Sequence, residues 1–182
     1  MSSPKIVLIL YLSFTYAVMT AQTIIDFKEN PTTQNWTVVD DVVMGGRSVG
    51  KFAISNDGYG KFYGEVSLEN NGGFSSVRYH MAPLKISPES TLHIKLKGDE
   101  KTYQFRVKAK KQDYYSYITT FKTTGNWQTL QFKLKDLYPT FRGRNLDLPN
   151  FDKATIEEFR FLIGNKKPQE FELLLASIKI ES

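Results

Sequence analysis

Two neighbouring stretches decide the fold class: Thr91-Leu92-His93-Ile94-Lys95-Leu96-Lys97 and Thr102-Tyr103-Gln104-Phe105-Arg106-Val107-Lys108-Ala109-Lys110, separated by Gly98–Lys101. In both, apolar and polar residues alternate strictly. Successive side chains of a strand point to opposite faces, so a period of two puts one set in a core and the other in water. The pair is expected to form a hairpin, with Lys97 opposite Thr102 and Lys95 opposite Gln104. That register gathers Lys95, Lys97, Arg106, Lys108 and Lys110 on one exposed face. Such a face is either a solvated sheet surface with edge-protecting lysines or a surface for an anionic partner.

The same pattern extends along the chain. Strands are predicted at Ser48–Ser55, Gly60–Leu68, Gly73–His80, Tyr114–Lys122, Trp127–Leu134, Glu158–Ile163 and Phe171–Glu181, all rich in residues that fit a pleated surface. Turn chemistry separates them: Asn56-Asp57-Gly58, Asn71-Gly72-Gly73, Gly98-Asp99 and Thr124-Gly125-Asn126. Helical signals are confined to short turns at Lys135–Leu137 and Asp152–Glu157. Many short strands with frequent turns predict an all-β sandwich or barrel.

Composition narrows the classes further. The 182 residues are 41% hydrophobic, with 24 Lys+Arg against 19 Asp+Glu, a net charge of +5 and no cysteine. This excludes wholesale disorder, a disulfide scaffold, a thiolate zinc site and a cysteine nucleophile. The charge excess is too mild to be a nucleic-acid footprint. Lys5, the uncharged run Ile6–Val18 and Ala21 have the layout of a secretory signal peptide over residues 1–21. The remaining 22–182 form one domain, expected in the periplasm or outside the cell. No stable membrane span is expected once the signal is cleaved; an uncleaved signal would leave the domain membrane-associated.

Motifs for chemistry are thin. Gly46-Arg47-Ser48-Val49-Gly50 fits the G-x-S-x-G pattern, but a hydrolase elbow needs a helix after the serine, and Lys51–Ser55 reads as strand. The two histidines, His80 and His93, lack metal-ligand spacing. Asp40-Asp41, before a glycine-rich turn, is either a turn-forming acidic pair or a source of oxygen ligands for Ca²⁺. Tyr114, Tyr115, Tyr117, Trp127, Tyr138 and Phe141 are candidates for stacking on sugar rings or for core packing. No catalytic residue, cofactor or metal site is predicted.

Two ordered segments are more specific: Asp40-Asp41-Val42-Val43-Met44-Gly45-Gly46-Arg47-Ser48, then Gly64-Glu65-Val66-Ser67-Leu68-Glu69-Asn70-Asn71-Gly72-Gly73-Phe74-Ser75-Ser76-Val77-Arg78. Together with Gly98-Asp99, Trp127, Phe141-Arg142-Gly143 and the Phe171-Glu172-Leu173 strand, the chain resembles the complex I intermediate-associated protein 30 family over roughly residues 24–180. The resemblance implies a galactose-binding-like jelly-roll β-sandwich, related to certain carbohydrate-binding modules. It also implies a non-catalytic, chaperone-like role in assembly of NADH:ubiquinone oxidoreductase through unfolded-protein binding. The predicted export signal sets this chain apart from that role, because the catalytic arm of bacterial complex I faces the cytoplasm. The ligand is therefore expected to be a protein partner or, alternatively, an envelope or dietary glycan. The signature positions Asp41, Arg47, Asn70, Phe74, Arg78, Trp127 and Arg142 are its candidate contacts. Two readings of the signature stay open: contact with a ligand, or maintenance of the fold, for example by an Asp–Arg pair pinning two loops. The glycan alternative predicts at least two exposed, coplanar aromatic rings in a groove.

Overall fold

The computed structural model describes residues 21–181. The predicted export signal lies outside the described residues, apart from Ala21. The strands are β1 (Ala21–Asp26), β2 (Trp36–Asp40), β3 (Val49–Ile54), β4 (Gly60–Val66), β5 (Ser75–Lys85), β6 (Thr91–Lys97), β7 (Thr102–Lys108), β8 (Ser116–Lys122), β9 (Gln128–Lys133), β10 (Tyr138–Phe141), β11 (Arg144–Asn145), β12 (Thr155–Ile163) and β13 (Gln169–Glu181). Among the described residues, helical structure is limited to short 3-10 turns at Asp41–Met44, Glu69–Asn71 and Leu134–Asp136.

Two sheets stack face to face. One is six-stranded, in the order β3-β4-β13-β6-β9, with β1 also paired to β13; the other is seven-stranded, in the order β11-β10-β8-β7-β12-β5-β2. Phe62, Leu92, Ile94, Leu96, Leu173 and Leu175 of the first layer and Val77, Phe105, Val107, Phe159 and Phe161 of the second are buried in one core. The ring of Phe105 lies 5.6 Å from Phe159 and 5.3 Å from Phe161 in its own sheet, and 5.7 Å from Phe132 of β9 across the gap.

The alternation of β6 and β7 is as expected, but the hairpin is not. β6 pairs with β13 and β9, whereas β7 pairs with β12 and β8. Gly98–Lys101 carries the chain from one sheet to the other. A period of two is compatible with both arrangements; here the two apolar faces meet across the core rather than side by side. Gly98 is pressed against Thr123, where a Cβ would come within 2.4 Å. Asp99 fixes the crossing by accepting from Tyr103 Oη at 2.9 Å, Lys101 Nζ at 2.7 Å and the Glu172 amide at 2.9 Å. The basic residues expected on one face are consequently divided. Lys95 and Lys97 face outward from the six-stranded sheet, and Arg106 and Lys108 from the seven-stranded one.

Bulges keep the apolar residues inside over the longest strands. β13 buries Phe171, Leu173 and Leu175, then Ile178 and Ile180, and its register shifts between Leu175 and Ser177. β12 shifts between Ile156 and Glu158, so Ile156, Phe159, Phe161 and Ile163 all point inward. Burial of Ile156 draws the segment from Thr155 into the sheet, in place of the helical turn expected over Asp152–Glu157. One extra residue in one strand restores the inward set after a slip of the period. Phe161→Ala empties the centre of this core and is expected to lower unfolding free energy by about 3–5 kcal/mol, read from urea denaturation.

Candidate binding cleft

The glycine-rich signature folds into two loops, residues 41–48 and 67–74, joined through one carboxylate. Asp41 is fully buried. Its Oδ1 accepts from the Ser48 amide at 3.0 Å. Its Oδ2 accepts from Ser48 Oγ at 2.5 Å and from the amides of Gly73 and Phe74 at 2.5 and 3.1 Å. Ser48 Oγ in turn accepts from the Ser67 amide at 3.0 Å. The glycines make room for this. A Cβ on Gly46 or Gly72 would come within 2.3 or 2.7 Å of Asp41 carboxylate oxygens. Neighbouring Asp40 does similar work, accepting from the Gly50 amide at 2.9 Å and Ser75 Oγ at 2.5 Å. Burial by itself would raise the Asp41 pKa, but the hydrogen bonds from Ser48, Gly73 and Phe74 outweigh it and hold the group below its ordinary value.

These contacts decide several of the sequence expectations. The partner of Asp41 is Ser48 and backbone amides, not arginine. Arg47 instead pairs with Glu69 at 2.8 Å, with side chains 66% and 63% exposed. Ser48 is buried, hydrogen-bonded to Asp41 and followed by a strand, which removes the hydrolase-elbow geometry. The carboxylate oxygens of Asp40 and Asp41 are directed at protein donors, and among the described residues no group of three or more His, Asp or Glu side chains converges on a point. Asn70 is exposed at φ 56 in the left-handed turn, a conformation that asparagine tolerates well.

The two loops form one wall of a cleft of about 910 Å³ on the outer face of the seven-stranded sheet. Met44, Gly73 and Phe74 line this wall, and Tyr114, Phe141 and Arg142 line the opposite rim. The floor carries a row of arginines. Arg160 of β12 lies directly opposite Arg78 of β5 on one side and Arg106 of β7 on the other. Arg160 donates to Glu158 Oε1 from Nε at 3.1 Å and from Nη2 at 2.6 Å. Arg106 donates to Gln104 Oε1 at 3.0 and 2.5 Å. The Nε of Arg78 is buried and has no hydrogen-bond partner. Burial, with repulsion from Arg160, lowers the pKa of Arg78 and brings that of Arg106 down to about 10. Both guanidiniums stay charged at neutral pH. His80 Nδ1, 3.6 Å from Glu158 Oε2, is beyond hydrogen-bond reach; burial lowers its pKa and keeps it neutral at pH 7.

The predicted contacts therefore separate. Asp41, Arg47 and Asn70 belong to the joined loops, and Phe74, Arg78 and Arg142 to the cleft. Trp127 packs on Tyr59 at 4.5 Å, away from it. The rim rings Tyr114 and Phe141 are 62% and 36% exposed, but they meet edge to face at 83°, so the expected coplanar platform is not formed. Arg106 and Arg160 were not among the expected contacts of the signature. A local signal for the row exists in Val77-Arg78-Tyr79, Phe105-Arg106-Val107 and Phe159-Arg160-Phe161: three mid-strand arginines, each between two inward-facing apolar residues.

The two layers form a jelly-roll β-sandwich of galactose-binding-like type, with a cleft on the outer face of one sheet. The family 11 carbohydrate-binding module of Clostridium thermocellum, solved with a β-1,3-1,4-mixed-linked tetrasaccharide, matches with a TM-score of 0.65 at 15% identity, over 91% of this chain and 96% of that one. The family 11 module of a cellulosomal cellulase from the same organism matches with a TM-score of 0.66 at 14% identity, over 90% and 95%. An agarase matches with a TM-score of 0.60 at 12% identity, over 89% of this chain and 24% of the agarase. The family model for complex I intermediate-associated protein 30 matches residues 25–175, and the chain belongs to that family. An uncharacterized protein of Schizosaccharomyces pombe is 28% identical over 174 residues, spanning 83% of this chain and 80% of its own.

Asp41→Asn exchanges a buried acceptor for a group that opposes several N–H donors. It is expected to cost about 2–4 kcal/mol, whereas Arg47→Ala, at an exposed ion pair, costs within about 1 kcal/mol. Because the folded-state pKa of Asp41 lies below its unfolded value, its contribution is present at neutral pH. It is lost as pH falls below about 4 and through the folded value. Denaturant midpoints measured down the acid range for wild type and Asp41→Asn should converge at low pH.

Proposed function

We propose that this chain is a non-catalytic binding domain and that the cleft on the seven-stranded sheet holds a glycan. The observation that carries this is the cleft itself: about 910 Å³, within the range of small-ligand sites, floored by hydrogen-bonding side chains and rimmed by exposed rings. Sugar hydroxyls both donate and accept, and an apolar ring face can rest on Tyr114 or Phe141. The common architecture with carbohydrate-binding modules supports the same reading. Export by the predicted signal at residues 1–21 would place the domain where envelope or dietary glycans are met.

A second reading follows from family membership, whose name refers to complex I intermediates: a chaperone-like hold on a protein partner during NADH dehydrogenase assembly. What favours it is the exposure of Val42, Met44, Val49 and Leu68 on and beside the two joined loops. Exposed apolar side chains held together mark protein contacts.

The readings part on one experiment. Titration calorimetry of the full chain with oligosaccharides is expected to give saturable binding. Tyr114→Ala should weaken it about three- to tenfold, and Trp127→Ala should leave it unchanged. Absence of binding to every glycan, with loss of partner capture in Val42→Ser/Met44→Ser, would replace the glycan reading by the second one.

A further inference from the structure

Six basic side chains, Arg78, Arg106, Lys108, Arg142, Arg160 and Lys166, and no acidic one line the cleft. The whole chain is close to balanced, with 24 basic against 19 acidic residues, so this is local segregation and not a reflection of composition. Like charges directly opposite on neighbouring strands repel, and Arg78, Arg160 and Arg106 occupy such positions in sequence across three strands. Glu158, two residues from Arg160 on β12, is taken up by Arg160, and Gln104 by Arg106. Arg78 is left with a buried, unpaired Nε. A donor in that state is costly unless something accepts from it.

Resting on the reading of the cleft as a glycan site, we infer that its ligand is an acidic glycan, and that Arg78 is the guanidinium that pairs with the anionic substituent, a carboxylate or a sulfate half-ester. A planar fork of N–H donors matches either group with two parallel hydrogen bonds. Thr140 Oγ1, on the cleft lining, is likewise buried without a partner. Stacking is restricted, because Tyr114 and Phe141 are perpendicular and cannot offer coplanar faces to successive rings. Charge and hydrogen bonding then supply most of the affinity. An acidic peptide fits less well. Its backbone N–H groups need acceptors, and the charged side chains of the lining are all donors. The cleft also lies on a sheet face whose backbone groups are already paired between strands, leaving no edge for strand addition.

The test titrates the full chain with oligogalacturonate, a sulfated galactan fragment, a neutral mixed-linked β-glucan oligosaccharide of equal length, and poly-glutamate, at low and raised salt. The expected result is that one acidic oligosaccharide binds at least about tenfold more tightly than the neutral one. Its affinity falls with salt, and the stronger of the two acidic ligands names the substituent. Arg78→Lys and Arg78→Ala should each erase most of that preference, the loss falling on the acidic oligosaccharide far more than on the neutral one. Lys166→Asn, a neutral change that suits the left-handed turn at φ 56, should lower it in the same direction even if the Arg78 variants do not fold. Equal or tighter binding of the neutral oligosaccharide overturns the acidic inference but keeps the glycan reading. Binding of no glycan overturns both. Poly-glutamate matching the acidic glycans, or a preference untouched in a folded Arg78→Ala, also overturns the inference.

Discussion

Asp41 is an ionised carboxylate removed from water and surrounded by donors: the amide and hydroxyl of Ser48 and the amides of Gly73 and Phe74. Burial of such a charge is tolerable only where hydrogen bonds replace its hydration. Here the replacement comes from two loops that are distant in sequence and meet at this carboxylate. Glycines at 46 and 72 leave the space that the carboxylate needs. Phe74 and Gly73, which hydrogen-bond to it, and Met44, on the loop it opens, form one wall of the cleft. In this chain the two glycine-rich segments set that wall, and the Asp41 carboxylate is directed at the fold's own donors.

The floor of the cleft follows a different logic. Three arginines lie side by side on adjacent strands, with a single buried glutamate, Glu158, beside them on β12. Such a row works against the sheet that carries it, since Arg78 and Arg106 are partly desolvated and each faces Arg160. Structural economy would favour threonine or valine at these positions. Where a local choice conflicts with the surrounding fold, a functional origin is the first explanation to test. The core beneath, packed around Phe105, Phe159 and Phe161, supplies the stability that lets the sheet carry this load.

Much of the architecture was legible from alternation alone. The strands around β6, β7 and β13 are where a period of two places them, and the all-β class follows from their number. Pairing was not legible, because the same alternation fits a hairpin and a crossing between layers; Gly98 against Thr123 and the Asp99 hydrogen bonds settle it in favour of the crossing. Bulged strands such as β12 also hide their period, since Glu158 follows a register shift. Of the site, the signature pointed to Phe74, Arg78 and Arg142 but equally to Asp41 and Trp127, which have other surroundings. Arg78, Arg106 and Arg160 come from segments far apart in sequence. Each strand records only a mid-strand arginine between apolar residues; the cross-strand register that sets the three side by side is not written in any single strand.

The likeness to carbohydrate-binding modules and the membership of the complex I intermediate-associated protein 30 family direct attention to different surfaces of one sandwich: the charged cleft and the apolar loops beside it. Backbone amide NMR of the full chain during titration with a short oligogalacturonate distinguishes them residue by residue. The expected result is saturable shifts concentrated at Arg78, Arg106, Arg160 and Thr140, with Trp127 and Tyr59 unmoved. Shifts confined to Val42–Met44 and Leu68, or to the Tyr59–Trp127 pair, would contradict the assignment of the cleft as the recognition face.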